Sequence, residues 1–141
     1  MDLPIFQLVY TSKSSLLITS EFLNGILENA REHNSREGIT GFLTARDGYF
    51  LQLLEGEETN VRECFNRILK DNRHSQITLQ GEARVATRST PNWSMGWSAD
   101  GQSAVGLIEL FELGRSGKTF KDSSSLLKIL KMFSRNAKIL G

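Results

Sequence analysis

Residues Ile39 to Glu57, ITGFLTARDGYFLQLLEGE, constrain the fold of this chain more than any other stretch. Apolar and β-prone residues fill Ile39–Ala45 and Tyr49–Leu54, and Asp47-Gly48 between them is a favoured two-residue hairpin turn. A β-hairpin is therefore expected, and one side chain sits awkwardly in it. Gln52 lies within Phe50-Leu51-Gln52-Leu53-Leu54, a run apolar enough to be covered on both faces. Its amide must find hydrogen-bond partners, because burying it without them is costly. Gln52 is thus either a satisfied core polar group or a group that reads a ligand.

The elements around the hairpin follow from periodicity. Ile5–Tyr10 is rich in β-formers and reads as a first strand, ended by Tyr10-Thr11-Ser12. Thr19 to Asn34 reads as a helix: Thr19 or Ser20 caps it, Glu21 lies in its first turn, and Leu23, Ile26, Leu27 and Ala30 share a face. Glu57 to Leu69 is a second amphipathic helix, with Glu57 and Glu58 near its positive end and Val61, Cys64, Phe65, Ile68 and Leu69 inward. Gln76–Arg88 is expected as a fourth strand, irregular around Gly81, and Trp93–Ala99 as a short fifth after the break at Thr90-Pro91-Asn92. The order βαββαβ plus one strand predicts a ferredoxin-like α+β fold. Its two helix-length crossovers are expected to join parallel neighbours and to put both helices on one face of a mixed sheet. Beyond it come a weak helix around Ala104–Leu113, a Gly/Ser/Lys-rich linker at Gly114–Ser125 and an amphipathic helix, Ser124–Ile139. The apolar stripe of that last helix must dock on the sheet's free face or on another chain.

At 141 residues the chain suits one domain with a real core and room for a small-ligand pocket. No run of about 20 apolar residues is present and MDLPIFQLVYTS lacks the parts of a secretion signal, so neither a membrane span nor export is indicated. The single cysteine, Cys64, excludes an intramolecular disulfide, and a cytoplasmic protein is the expectation. Residues 115–141 carry a net charge of +6, leaving −5 for residues 1–114. The basic stretch is either a solvated helix face or a docking surface for an acidic partner; no aromatic interleaving or groove-binding motif supports nucleic acid.

Several chemistries lack their residues. His33, His74 and Cys64 are too dispersed for a metal signature, no base pairs with an activated Ser or Cys, and neither GxxxxGK[ST] nor GxGxxG occurs. The fold suggests something else. Ile26 and Ile68 fall on the inward faces of the two crossover helices, where a flat apolar molecule could wedge between them. Asn34 and Gln52 would then offer amides to one polar edge of it, with Tyr10 on a neighbouring strand. Ordinary packing is the competing explanation.

Five separate segments carry a resemblance to a known family: Leu8-Val9-Tyr10-x-Ser12, His33-Asn34 followed by Gly38-Ile39-Thr40-Gly41, Phe50-Leu51-Gln52-x-Leu54-Glu55-Gly56, Asp71-x-Arg73-His74, and Trp93-Ser94-Met95. In this order and spacing, over roughly residues 4–100, the chain resembles a BLUF domain, a blue-light sensor that uses flavin. The resemblance implies a photosensor domain over residues 1–100, with residues 101–141 as a helical extension for output or oligomerisation. It implies Tyr10 as electron donor, Gln52 between that tyrosine and the flavin, and Asn34 and His33 beside the ring. Ile26 and Ile68 would sandwich the ring, with Arg73, Asp71 and His74 on its C2-carbonyl and tail side. Trp93 and Met95 would shift with the light state on the fifth strand, and Ser12 would place a hydroxyl near the glutamine. Trp97 is an extra aromatic outside the family pattern.

The implied cofactor is FAD, with FMN or riboflavin as alternatives, and no metal. The implied protein is not an enzyme but a photoreceptor, and with no effector domain after residue 100 it reads as a short stand-alone sensor. It would signal to a separate partner protein, as a homo-oligomer. A ferredoxin-like acylphosphatase would need an anion-holding glycine loop with Arg after the first strand, which Tyr10-Thr11-Ser12-Lys13 does not supply. A flavin-free interaction module would share the fold and the basic helix, but would give Tyr10, Asn34 and Gln52 no reason to meet.

Overall fold

The computed structural model describes residues 4–98, 105–120 and 126. Its elements are β1 (Ile5–Ser14), α1 (Ser20–Glu37), β2 (Thr40–Arg46), β3 (Tyr49–Gly56), α2 (Glu58–Leu69), β4 (His74–Val85), β5 (Gly96–Ser98) and α3 (Val105–Arg115). The five strands form one mixed sheet in the order β4-β1-β3-β2-β5, antiparallel throughout except for the β2–β5 pair. This is the ferredoxin-like α+β arrangement, with β5 added at the edge beside β2.

The expected hairpin forms as β2 and β3. Asp47 and Gly48 turn it with φ of 51° and 81°, the pair of positive values that matches the twist of the flanking strands. Thr19 caps α1 by accepting from Phe22 N at 3.1 Å, and Gly38, in the left-handed conformation, closes it after Glu37, three residues past Asn34.

Three expectations are corrected. The crossovers do not create parallel neighbours: β1 and β2 are parallel but separated by β3, and β3 and β4 are separated by β1. Each crossover helix spans one intervening strand because the tight hairpin delivers β3 back beside β1. Thr11 and Ser12 do not end the first strand. They are fully buried within β1, paired to β3 on one side, with Thr11 also paired to β4 on the other, so the ladder overrides their local turn preference. The fifth strand is only Gly96–Ser98, so Trp93 and Met95 precede it rather than lie in it. The fourth strand starts at His74 and is irregular as expected, its register slipping between Val9↔Gly81 and Tyr10↔Leu79 so that Gln80 bulges out of the ladder.

The sheet has two covered faces. Phe6, Leu8, Tyr10, Leu43, Phe50 and Leu54 face α1 and α2 in one cluster. Val9, Phe42, Leu51 and Leu53 face Leu110 and Phe111 of α3, together with Leu126, in the other. Leu126 is the one described residue of the expected helix Ser124–Ile139; the rest of it, and most of the expected 101–141 extension, lie outside the described residues. Among the described residues no helix is long and apolar enough to cross a membrane.

Candidate functional site

A cavity of about 150 Å³ opens between α1 and α2, floored by the sheet. Helical spacing turns Ile26, Asn29, Ala30 and His33 of α1 toward it, with Asn34 beside them, and Cys64, Arg67 and Ile68 of α2 from the other side. Tyr10, Leu43, Phe50, Gln52 and Leu54 form the floor, and Asp71, Arg73 and His74 of the α2–β4 connection close one end. All the residues that the sequence suggested for a ligand, Ile26, His33, Asn34, Gln52, Ile68, Asp71, Arg73 and His74, line this one cavity together with Tyr10.

Tyr10 and Gln52 meet because β1 and β3 pair them in direct register, which puts both side chains on the same face. The Tyr10 hydroxyl donates to Gln52 Oε1. On its other side Gln52 donates from Nε2 to Met95 Sδ at 3.3 Å. A thioether has no proton to give, so Met95 fixes which way the amide points. Burial pushes the Tyr10 phenol well above its ordinary pKa, with the nearby Cys64 and Asp71 adding to the effect, so the hydroxyl is a neutral donor. Phe65 and His74 pack around its ring at centroid distances of 5.4 and 6.1 Å.

Asn34, buried at the end of α1, donates Nδ2 to Ser94 O at 2.7 Å, and the Cys64 thiol lies 3.9 Å from its Oδ1. Burial raises that thiol to about 11, so it stays protonated. At the end of the cavity Arg73 grips Asp71 through Nε and Nη2, at 2.9 and 2.5 Å to Oδ2, and this contact holds the Asp71 carboxyl below the usual range. His74 is held neutral chiefly by its burial. Its Nε2–H donates to Ile68 O at 3.2 Å, which leaves Nδ1 to accept from Ser12 Oγ at 2.8 Å. The Ser12 hydroxyl, expected near the glutamine, is therefore spent on His74.

Trp93 and Met95 lie on opposite sides of the sheet. Met95 is buried on the cavity side against Gln52, whereas Trp93 packs on the α3 side. Trp97 is on the cavity side instead, paired in register with the cavity residue Leu43. Sequence reasoning missed Asn29, Ala30, Leu43, Phe50, Leu54, Cys64 and Arg67 in the cavity wall. Asn29, Ala30 and Cys64 were findable, since they stand three or four residues from Ile26 or Ile68, whereas Arg67, next to Ile68, carries no such signal.

These residues fit a flat heteroaromatic group. Ile26 and Ile68 supply apolar walls from two different helices, and the Gln52 and Asn34 amides each keep a second N–H beyond the one given to Met95 or Ser94. Among the described residues no cluster of His, Cys, Asp or Glu could hold a metal ion.

Comparison with known proteins agrees with this geometry. Over 95 residues the chain is 30% identical to the photoactivated adenylate cyclase subunit beta of Euglena gracilis, matching 67% of this chain but only 11% of that much longer relative. The photo-activated state of BlsA superposes with a TM-score of 0.76 at 29% identity, covering 97% of this chain and 99% of that one. The dark-state structure of BlrB, a BLUF protein, gives 0.74 at 25% identity, covering 94% and 98%. The family model for sensors of blue light using FAD matches residues 5–96, and the chain accordingly belongs to the BLUF family.

Proposed function

We propose that this chain is a blue-light photoreceptor that holds an oxidised flavin non-covalently between α1 and α2 and switches through Tyr10 and Gln52. The observation that carries the reading is the hydrogen bond from the buried Tyr10 hydroxyl to Gln52 Oε1 on the cavity floor. When bound and excited by blue light, flavin supplies a strong one-electron oxidant. Tyr10 serves as electron donor: its phenol is neutral, becomes a strong acid on losing an electron, and can pass its proton along the existing bond to Gln52 Oε1. Once the electron and proton have returned, Gln52 is left rotated or tautomerised. Rotation would bring Oε1 to Met95 Sδ, which cannot donate, so that contact is lost and a different donor pattern faces the cavity. The changed pattern is read as a red shift in flavin absorption that decays in the dark.

Ile26 and Ile68 would hold the ring between them, with Asn34 and His33 beside it. Asp71, Arg73 and His74 would hold its C2-carbonyl and tail side, and FAD is the flavin we propose. Residues 1–100 form the sensor, and residues 101–141 are the output or oligomerisation extension, whose basic charge suits a separate acidic partner protein. The visible spectrum of the purified protein before and after blue light tests the reading. Tyr10→Phe should stay yellow yet lose the shift; a normal shift in that variant overturns the scheme. A colourless preparation that no flavin reconstitutes would instead make the chain a flavin-free interaction module.

A further inference from the structure

The position of Met95 is not set by the sheet. Pairing of β5 with β2 begins at Phe42↔Gly96, one residue after it, so the sulfur that fixes the Gln52 amide hangs from backbone outside the ladder. That backbone is held carbonyl by carbonyl instead. Trp93 O accepts from Gly41 N at 3.0 Å, Ser94 O from Asn34 Nδ2 at 2.7 Å, and Met95 O from Arg31 Nε at 3.0 Å. Two of these donors are α1 side chains three residues apart, which places them on one face of the helix. Upstream the segment is pinned where Ser89 N and Thr90 N donate to the buried Glu55 carboxylate at 2.9 and 2.5 Å. Between that anchor and β5, the group acting on the carbonyl of Met95 itself is the half-buried Arg31.

We infer that Arg31 is a positioning residue for the Gln52 switch: by donating Nε–H to the Met95 carbonyl it holds the thioether where it accepts from Gln52 Nε2. The inference rests on the proposed photocycle. In that cycle the thioether is the acceptor that draws Nε2 back to its dark orientation, so loosening Met95 slows the return. Arg31 does not line the cavity, and its effect falls on the lifetime of the lit state rather than on the flavin contacts that set the size of the spectral shift.

The test uses two replacements whose side chains reach as far as the position of Nε. Arg31→Met puts a methyl carbon where Nε stands and removes the donor; Arg31→Gln puts an amide N–H there and keeps it. Dark recovery is followed in the full chain after a blue-light pulse. Arg31→Met is expected to recover about fivefold more slowly with a red shift of unchanged size, as for loss of one net hydrogen bond, and Arg31→Gln to recover near the wild-type rate. In a Met95→Leu background, Arg31→Met should add nothing, because both changes act through the same contact. Wild-type recovery in Arg31→Met, equal slowing in Arg31→Gln, or an undiminished effect in the Met95→Leu background each overturns the role. A wild-type protein without a red shift removes the photocycle itself; a wild-type shift with an indifferent Arg31→Met removes only this inference.

Discussion

Two buried glutamines, one on each face of the sheet, are held in opposite ways. Gln80, bulged from β4 toward the α3 face, donates Nε2 to Thr11 Oγ1 at 3.1 Å and to Lys118 O at 3.0 Å, and accepts at Oε1 from Phe120 N at 2.9 Å. Two of these partners are main-chain groups with fixed roles, so turning this amide over would forfeit both and set like against like. Gln52, on the cavity face, is held by a hydroxyl, which can donate or accept, and by a thioether, which is a weak acceptor. Turning it over forfeits only the weaker contact. Similar burial therefore produces a staple on one side and, on the other, an amide that can be turned over at the cost of one weak contact.

The strongest way to break the comparison is to remove each amide. Gln52→Leu should abolish the light-induced shift while flavin binding survives. Gln80→Leu should keep the shift but lower the unfolding free energy by about 2–4 kcal/mol, since the buried Thr11 hydroxyl and the part-buried Lys118 O and Phe120 N all lose their partner. Denaturant titration together with difference spectra of the two variants decides it, and exchanged phenotypes would collapse the distinction.

Next in size is Glu55→Gln. The buried carboxylate accepts from Gln7 Nε2, Thr40 Oγ1, Ser89 N, Thr90 N and Thr90 Oγ1. An amide there must turn an N–H toward one of these donors, and a loss of about 2–3 kcal/mol is expected in the same titration. Gly114→Ala sharpens the account of the α3 face. A Cβ at Gly114 would lie 2.2 Å from Thr11 Oγ1 and 2.7 Å from Thr11 Cβ, so α3 must back away from β1, at about 1–3 kcal/mol. Thr11→Ala in the same chain should restore part of that loss.

The smallest effect concerns His74. Its folded pKa is depressed by burial, so the unfolded chain takes up a proton first as the pH falls. Stability from the neutral ring is fully present above the unfolded value of about 6.5 and is lost as the pH drops through it toward the folded value. Between about pH 7.5 and about pH 5.5 the urea midpoint of the wild type should fall further than that of His74→Gln. Parallel declines would remove His74 as the cause.

What could be read from the sequence was whatever rests on local chemistry or strict period. Asp47-Gly48 names its turn type, and once that hairpin lies beside β1, residues 10 and 52 can meet in register. Where the chain leaves regular structure the period misleads. Trp93 and Met95, two apart, would share a face in a strand, but the backbone at Ser94 is not extended within the ladder and the two side chains part to opposite sides of the sheet. Ser12 was legible as a polar residue near the site, but its bond to His74 depends on how the α2–β4 connection returns, which no local pattern fixes. Gln80 gave no signal at all, because two of its three partners are main-chain groups of residues 118 and 120 and the third, Thr11, is distant in sequence.

On the proposed photocycle, the softness of the Gln52–Met95 contact would set the gain of the switch. Whatever reads the two states through this contact alone sees them differ by one weak hydrogen bond, about 1 kcal/mol, which biases a partner's affinity by roughly a factor of five. Driving an equilibrium from nearly empty to nearly full takes about 5.5 kcal/mol. A switch wired through that thioether alone would dim and brighten a response in proportion to light rather than turn it fully on or off.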